Sequence, residues 1–263
     1  MTTTAAPIET EAVDGIVTLW LNRPDRLNAL NHALIAAACI QLSAWEQDPE
    51  VRCVVLRGRG RSFCAGDDVK GMADGERLWE TMEFTLRRES GYERLFKTLY
   101  NLRKPVVAGL HGHAVGAGAL IALACDVRIA AHDAQIGFPF VKRGITGGTT
   151  IVARYIGLGK ATEMLMTGDS ADGTEAERLG LVNYAVPAED LDAAVMRWAR
   201  KLAAGPTRIL GFTKYALHKG LYQDLDTAYG LNSFAALLTQ GTQDAAEGRE
   251  AFREKRVPHF KGQ

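Results

Sequence analysis

The sequence lacks an excess of either charge, with 31 basic residues against 31 acidic ones. There is therefore no global field to draw in a nucleic acid or an anionic membrane, and an anionic ligand must be held by local groups. Cysteine is scarce, with four in 263 residues. Cys39, Cys53, Cys64 and Cys125 show neither paired metal-ligand spacing nor the density of a secreted disulfide scaffold, which leaves reduced thiols. No long apolar run is present either: the least polar stretch, 114–125, is rich in Gly and Ala and falls short of the roughly 20 residues a bilayer span requires. The opening MTTTAAPIETEA has no basic region followed by an apolar one, as a secretory signal would, and reads as a short loose arm. Together these absences predict a soluble, cytoplasmic protein with no nucleic-acid or membrane partner.

What is present is a regular alternation. Residues 15–21 form a β-branched and apolar run closed by Asn22-Arg23-Pro24-Asp25, a strand followed by a turn. Apolar positions from 28 to 45 recur at helical spacing, Asp48-Pro49 ends that segment, and 51–56 is a second strand. The pattern repeats with a polar helical stretch over about 76–102, a strand at 105–110, a helix at 116–124 and a strand at 127–130. Such alternation favours parallel strands joined by crossovers. After Gly205-Pro206 no strand signal remains, and three helical stretches run nearly to the end.

Two segments carry chemistry. One is Arg61-Ser62-Phe63-Cys64-Ala65-Gly66-Asp67-Asp68-Val69-Lys70-Gly71-Met72, after the strand ending near Leu56. The other is His111-Gly112-His113-Ala114-Val115-Gly116-Ala117-Gly118-Ala119-Leu120, after the strand ending near Leu110 and at the start of a helix. In both, small residues at a strand's C-terminal end leave backbone N–H groups unshielded, and a pair of such groups can accept a developing oxyanion.

These segments resemble the two oxyanion segments of the crotonase (enoyl-CoA hydratase/isomerase) superfamily, in the same order. Asn22-Arg23-Pro24 with Leu27-Asn28-Ala29-Leu30, Pro105-Val106-Val107-Ala108 and Ala176-Glu177-Arg178-Leu179-Gly180-Leu181-Val182 are similar to further family signatures. The resemblance implies an α/β fold, the crotonase (ClpP-like) spiral of ββα units, with an acyl-CoA-binding core over 1–205 and a C-terminal helical trimerisation region over 206–263. It implies a homotrimer or dimer of trimers whose ligand is an acyl-CoA thioester. Coenzyme A would arrive as part of the substrate, with no permanently bound cofactor and no metal. The implied oxyanion donors are the backbone N–H groups of Asp67 and Ala117, with Ala65 and Gly116 beside them as substrate-binding positions. Asp68, Val69, Lys70 and Met72 would line the adenine side, and Arg26 would be a cationic contact. Phe252 and Lys255 would reach the cofactor of a neighbouring subunit.

The pattern is broken where the family's hydratases carry two glutamates. Those positions correspond to Leu120 and to Phe140, the latter also expected to line the acyl pocket, and a family isomerase carboxylate falls on Gly148. None can move a proton, so the thioester-polarising half is kept and the usual proton-handling half is not. Replacement candidates are Glu83, Glu89, Tyr92, Glu93, the Asp67 side chain, His111, His113 and Lys142. Leu120 and Phe140 also suggest room for a bulky or cyclic acyl group. A metal at His111-x-His113 lacks a third ligand, and no G-x-S-x-G elbow supports a serine hydrolase through Ser62 or Ser90. The expectation is an acyl-CoA-processing enzyme working through an enolate. Double-bond isomerisation, thioester or ring-opening hydrolysis and decarboxylation stay open, as does a catalytically silent acyl-CoA-binding paralogue.

Overall fold

In the computed structural model, which describes residues 6–69 and 91–263, the apolar runs become strands close to where they are expected. They are β1 (Ile8–Val13), β2 (Ile16–Leu21), β3 (Cys53–Gly58), β4 (Val106–Leu110), β5 (His113–Val115), β6 (Val127–Ala131), β7 (Gln135–Gly137), β8 (Ser170–Ala171) and β9 (Tyr184–Val186). A six-stranded sheet has the order β1-β2-β3-β4-β6-β9, and β5-β7-β8 form a second, smaller sheet. From β2 to β9 every pairing in the large sheet is parallel. Every residue of β3 and β4 is buried, which explains why these strands read as unbroken apolar runs and not as alternating ones.

Parallel neighbours need crossovers, and helices supply them. α1 (His32–Gln47) links β2 to β3, its first turn capped by the Asn31 side chain, which accepts from the Leu34 N–H at 3.1 Å. α2 (Gly91–Asn101) leads into β4, and α3 (Ala117–Leu123), wholly buried, joins β5 to β6. α4 (Thr149–Thr167), broken at Gly157 (φ 74°), α5 (Gly173–Leu179) and α6 (Leu191–Ala203) complete the core. The three helices expected after residue 206 are α7 (Thr207–Gly220), α8 (Leu225–Gln240) and α9 (Gln243–Glu254). α7 is tied to the core by Lys214, whose ammonium lies 2.9 Å from Asp126 Oδ2 and donates to the Leu99 carbonyl at 3.1 Å.

One expectation is overturned: the opening segment is not a loose arm throughout. Residues Ile8–Val13 pair antiparallel with β2, from Ile8 opposite Leu21 to Val13 opposite Ile16. The turn between them is Asp14-Gly15, with φ of 51° and 76°, the pair of positive angles that a two-residue hairpin favours and that Asp-Gly supplies. The strand was hidden because all but its first residue is exposed, so its pairing rests on backbone hydrogen bonds and leaves no apolar pattern to read.

Candidate active site

The two glycine-rich segments meet at the C-terminal ends of β3 and β4. The first is held on both flanks. The Phe63 and Cys64 N–H groups donate to the carbonyls of His111 and His113, each at 2.8 Å, and the Val115 N–H donates to the Cys64 carbonyl at 3.0 Å. On the other flank the Ala65 N–H reaches Leu27, the Leu30 N–H reaches Gly66, and the Asp68 N–H reaches Leu30. A Cβ on Gly118 would sit 2.3 Å from the Cys64 carbonyl oxygen, and one on Gly66 (φ 92°) would sit 2.9 Å from that of Val115. Glycine at these places lets the two loops press backbone against backbone.

This stitching decides where the free donors point. The peptide groups on either side of Asp67 are both bonded to Leu30, so the Asp67 N–H is turned away from Leu30 toward the flank where Val115 and Ala117 lie. The Ala117 N–H opens α3, where no preceding turn supplies a carbonyl. Among the described residues, neither N–H has a backbone acceptor. The two segments lie close here, a Cβ on Gly66 falling 3.3 Å from the Ala117 nitrogen, with Ala65 and Gly116 beside them in the chain. The Gly116 N–H itself is spent on the Gly137 carbonyl at 2.9 Å.

The surroundings of this pair are apolar. Leu120 and Phe140 are buried, and the Phe140 ring lies 3.9 Å from where a Gly116 Cβ would be. Gly148 is pressed against Leu120, a Cβ there meeting Cδ2 at 2.7 Å. Beyond Gly148 a cleft of about 650 Å³ opens between α2, the start of α4 and the C-terminal end of α7, with Tyr92, Glu93, Phe96, Ile151, Leu217 and Leu221 in its wall.

Two adjacent carboxylates differ sharply. Asp68 Oδ2 lies 2.7 Å from the Arg23 guanidinium, which also donates to the Ala29 carbonyl at 2.5 Å. Asp67 Oδ1 is shielded from solvent with no hydrogen-bond partner. Burial pushes the Asp67 carboxyl up to about 6, against a smaller opposing pull from the Arg143 cation. Tyr92 on α2 is pushed up to about 12 by burial, with Glu93 and Asp67 adding to the shift. The buried Cys64 thiol, which donates to the Asn28 carbonyl at 3.1 Å, is pushed up to about 12 as well, so it is no ready nucleophile.

The other sequence candidates separate. Lys142 is on the surface in an ion pair with Asp169 at 2.8 Å. His111 Nε2 meets the Gly60 carbonyl at 2.9 Å, and His113 Nδ1 meets Ser62 Oγ at 3.3 Å, so the two imidazoles are engaged separately. Arg26 and Val69 are exposed, and Phe252 and Lys255 lie on the surface of the single chain. Lys70, Met72, Glu83 and Glu89 lie outside the described residues. Two residues do more than the sequence reading assigned to them. Arg23 braces Asp68, and Asn28, fully buried in the left-handed region (φ 56°), donates to the carbonyls of Arg59 and Ser62 while accepting from the Arg23 N–H. The Leu27-Asn28 turn was the available signal, since asparagine tolerates positive φ better than most residues.

Comparison with known proteins shows the family to which the fold belongs. A family model described as enoyl-CoA hydratase/isomerase matches residues 11–263. The crotonyl-CoA hydratase of Syntrophomonas wolfei is 35% identical over 254 residues, covering 95% of this chain and 96% of that protein. The 1,2-epoxyphenylacetyl-CoA isomerase of Escherichia coli is 35% identical over 251 residues, covering 94% and 95%. Among solved structures, the enoyl-CoA hydratase of Bacillus anthracis superposes with a TM-score of 0.87 at 33% identity, covering 98% of this chain and 100% of that one. The Mycobacterium smegmatis enzyme gives 0.87 at 30% identity, covering 97% and 98%. With the family model spanning nearly the whole chain and the spiral of strands and helices reproduced, the chain belongs to the enoyl-CoA hydratase/isomerase family of the crotonase superfamily.

Proposed function

We propose that this protein is an enzyme that binds an acyl-CoA thioester and stabilises its enolate between the backbone N–H groups of Asp67 and Ala117. The observation that carries the reading is that these two donors, on loops pressed together, have no backbone acceptor among the described residues. A thioester oxygen that gains charge on enolisation would be met by donors already in place, so little reorganisation is needed as the charge forms. The reaction favoured is a proton shift, such as movement of a double bond, and not water addition. Leu120 and Phe140 stand where hydratases of this superfamily carry their glutamates, and neither can orient or activate a water. The cleft beyond Gly148 suits an acyl group with bulk.

The reading extends to a homotrimer or dimer of trimers working in the cytoplasm. In its favour, α7, α8 and the turn between them expose Leu217, Leu221, Tyr222, Leu225, Tyr229 and Leu237, more apolar surface than one chain ordinarily leaves to water. Phe252 and Lys255 would then contact a neighbour's coenzyme.

Hydration of crotonyl-CoA should be at least about 10⁴-fold slower than with a family hydratase, since each missing carboxylate contributes something like 10²–10⁴. Loss of enoyl absorbance measures this, and a rate within tenfold of such a control would remove Leu120 and Phe140 from the positions assigned to them. Ala117→Pro deletes one donor while fitting the first helical position. It should lower kcat by about 10²–10³ on any substrate turned over, with thioester binding changed much less. A folded Ala117→Pro protein with full turnover would place the oxyanion elsewhere. A catalytically silent paralogue would bind the same thioesters and turn over none of them.

A further inference from the structure

The site offers two donors to a thioester oxygen, but the positions where hydratases of the superfamily carry glutamates hold Leu120 and Phe140, which cannot take the proton. We infer that the Asp67 side chain takes it: its carboxylate is the base that removes, and as the acid returns, a proton on the acyl chain of the thioester whose oxygen its own N–H holds. The inference rests on the enolate reading above and adds the missing half to it.

Three observations carry it. Four side-chain polar atoms of the described residues are shielded from water without a hydrogen-bond partner: Trp20 Nε1, Arg57 Nε, His111 Nδ1 and Asp67 Oδ1. Only the last is a carboxylate. A buried carboxylate oxygen left unbonded is costly in a fold that offers partners freely, as Arg23 does for Asp68 one residue away, and such a group persists where a ligand or a reaction needs it. Second, covalent geometry limits how far the carboxyl can be from the chemistry. Bond lengths of about 1.5 Å keep Asp67 Oδ1 within about 5 Å of the Asp67 backbone nitrogen. A thioester oxygen bound to that N–H lies about 3 Å from the nitrogen and its α-carbon about 2.4 Å farther on, so the α-carbon and Oδ1 each lie within about 5–6 Å of the same atom. Third, among the described residues several groups that could compete for the role are spent or inert, which leaves Tyr92, pushed up to about 12, and Glu93 on the wall of the cleft as its rivals. The Cys64 thiol donates to Asn28, Leu120 and Phe140 carry no proton, and Lys142 is paired on the surface.

The step balances without a co-reactant. The Cα–H bond breaks, its electron pair enters the thioester as an enolate whose oxygen rests on the two N–H groups, and the proton goes to Asp67 Oδ1. In a β,γ-unsaturated acyl chain the resulting carboxylic acid returns the proton at the γ-carbon, which shifts the double bond and regenerates the carboxylate; in the reverse direction the Cγ–H bond of an α,β-unsaturated chain breaks and the proton returns at the α-carbon. The charged and titratable groups that act on Asp67 among the described residues are Arg143, Tyr92 and Cys64. Arg143 favours the carboxylate that must act as base. Burial, the larger influence, keeps the acid form accessible near neutral pH, which suits a group that must both take and return a proton.

The test is exchange of the α-protons of butyryl-CoA and phenylacetyl-CoA in deuterium oxide, followed by proton NMR, together with calorimetric binding of both thioesters. The wild-type protein should exchange at least one of them, at a rate that rises with pH through the titration of the base. Asp67→Asn keeps the backbone N–H and the shape but cannot take the proton, and should slow exchange by about 10²-fold or more with the dissociation constant changed less than a few-fold. Asp67→Ala should behave alike. Exchange in Asp67→Asn within threefold of wild type, with Ala117→Pro impaired, would overturn the inference and leave the enolate reading standing. Parallel loss of binding and exchange in both Asp67 variants would make Asp67 a scaffold residue and also overturn it. Wild-type protein that binds both thioesters and exchanges neither would sink the enolate reading and the inference together.

Discussion

The two sides of the 62–69 loop treat adjacent carboxylates in opposite ways. On the outer side Asp68 is locked to Arg23 at 2.7 Å, and Arg23 in turn holds the Ala29 carbonyl. On the inner side Asp67 has a shielded Oδ1 without a hydrogen-bond partner and a carboxyl pushed up to about 6 by burial. Only the outer side is built for stability, since a buried pair with further hydrogen bonds fixes geometry. The inner side carries a group that a fold selected for stability alone would have paired or replaced, and groups displaced from their ordinary titration in this way cluster at functional sites.

Breaking the outer side should have the larger effect on stability. Asp68 is 6% exposed and the Arg23 side chain 19% exposed. Arg23→Ala would take the 2.7 Å guanidinium contact from buried Asp68 and leave the Ala29 carbonyl without that donor. Loss of one partner from a well-buried pair costs about 3–5 kcal/mol, and the partial exposure of Arg23 brings the expectation down to about 2–3 kcal/mol. Urea unfolding measures it. A loss below about 0.5 kcal/mol would mean that the pair is no stronger than a surface bridge and that the loop is held by its backbone bonds alone.

How much of this was legible beforehand follows from what each feature depends on. The strands at 53–58 and 106–110 were plain because burial on both faces leaves an uninterrupted apolar run. The glycines at 66, 116 and 118 were legible because the two small-residue segments occur together, each following a strand, in the order of the family's motifs. β1 was missed because its pairing is a backbone matter and its side chains face water; only Asp14-Gly15 betrayed it. The difference between Asp67 and Asp68 could not be read from the chain at all. It depends on Arg23 reaching across 45 positions to one aspartate and not the other, and contacts that distant leave no local pattern. The resemblance located the loops from their motifs, but the identity of the proton-handling group depends on side-chain surroundings that only a folded structure displays.

Altering the inner side should have a smaller effect on stability, and one of opposite sign. The Asp67 carboxyl is raised from 3.8 to about 6 in the folded protein. A raised carboxyl means that the folded state prefers the proton, so its contribution is present below the unfolded titration range and is lost as pH rises through about 6. Above that pH the fold bears the cost of a buried charge. The shift of about two pK units corresponds to about 3 kcal/mol at most, and partial exposure and the Arg143 cation reduce the expectation to about 1–2 kcal/mol. Asp67→Asn has no proton to lose. At pH 8 it should therefore be more stable than the wild type by about that amount, with the difference closing as the pH is lowered toward 4. Thermal melts at pH 4, 6 and 8 on both proteins supply the comparison. A variant that gains stability at pH 8 while losing proton transfer would show a group kept for its chemistry against its cost to the fold. A variant less stable than the wild type at every pH would show instead that the Asp67 carboxylate has a stabilising partner, and the contrast with Asp68 would vanish.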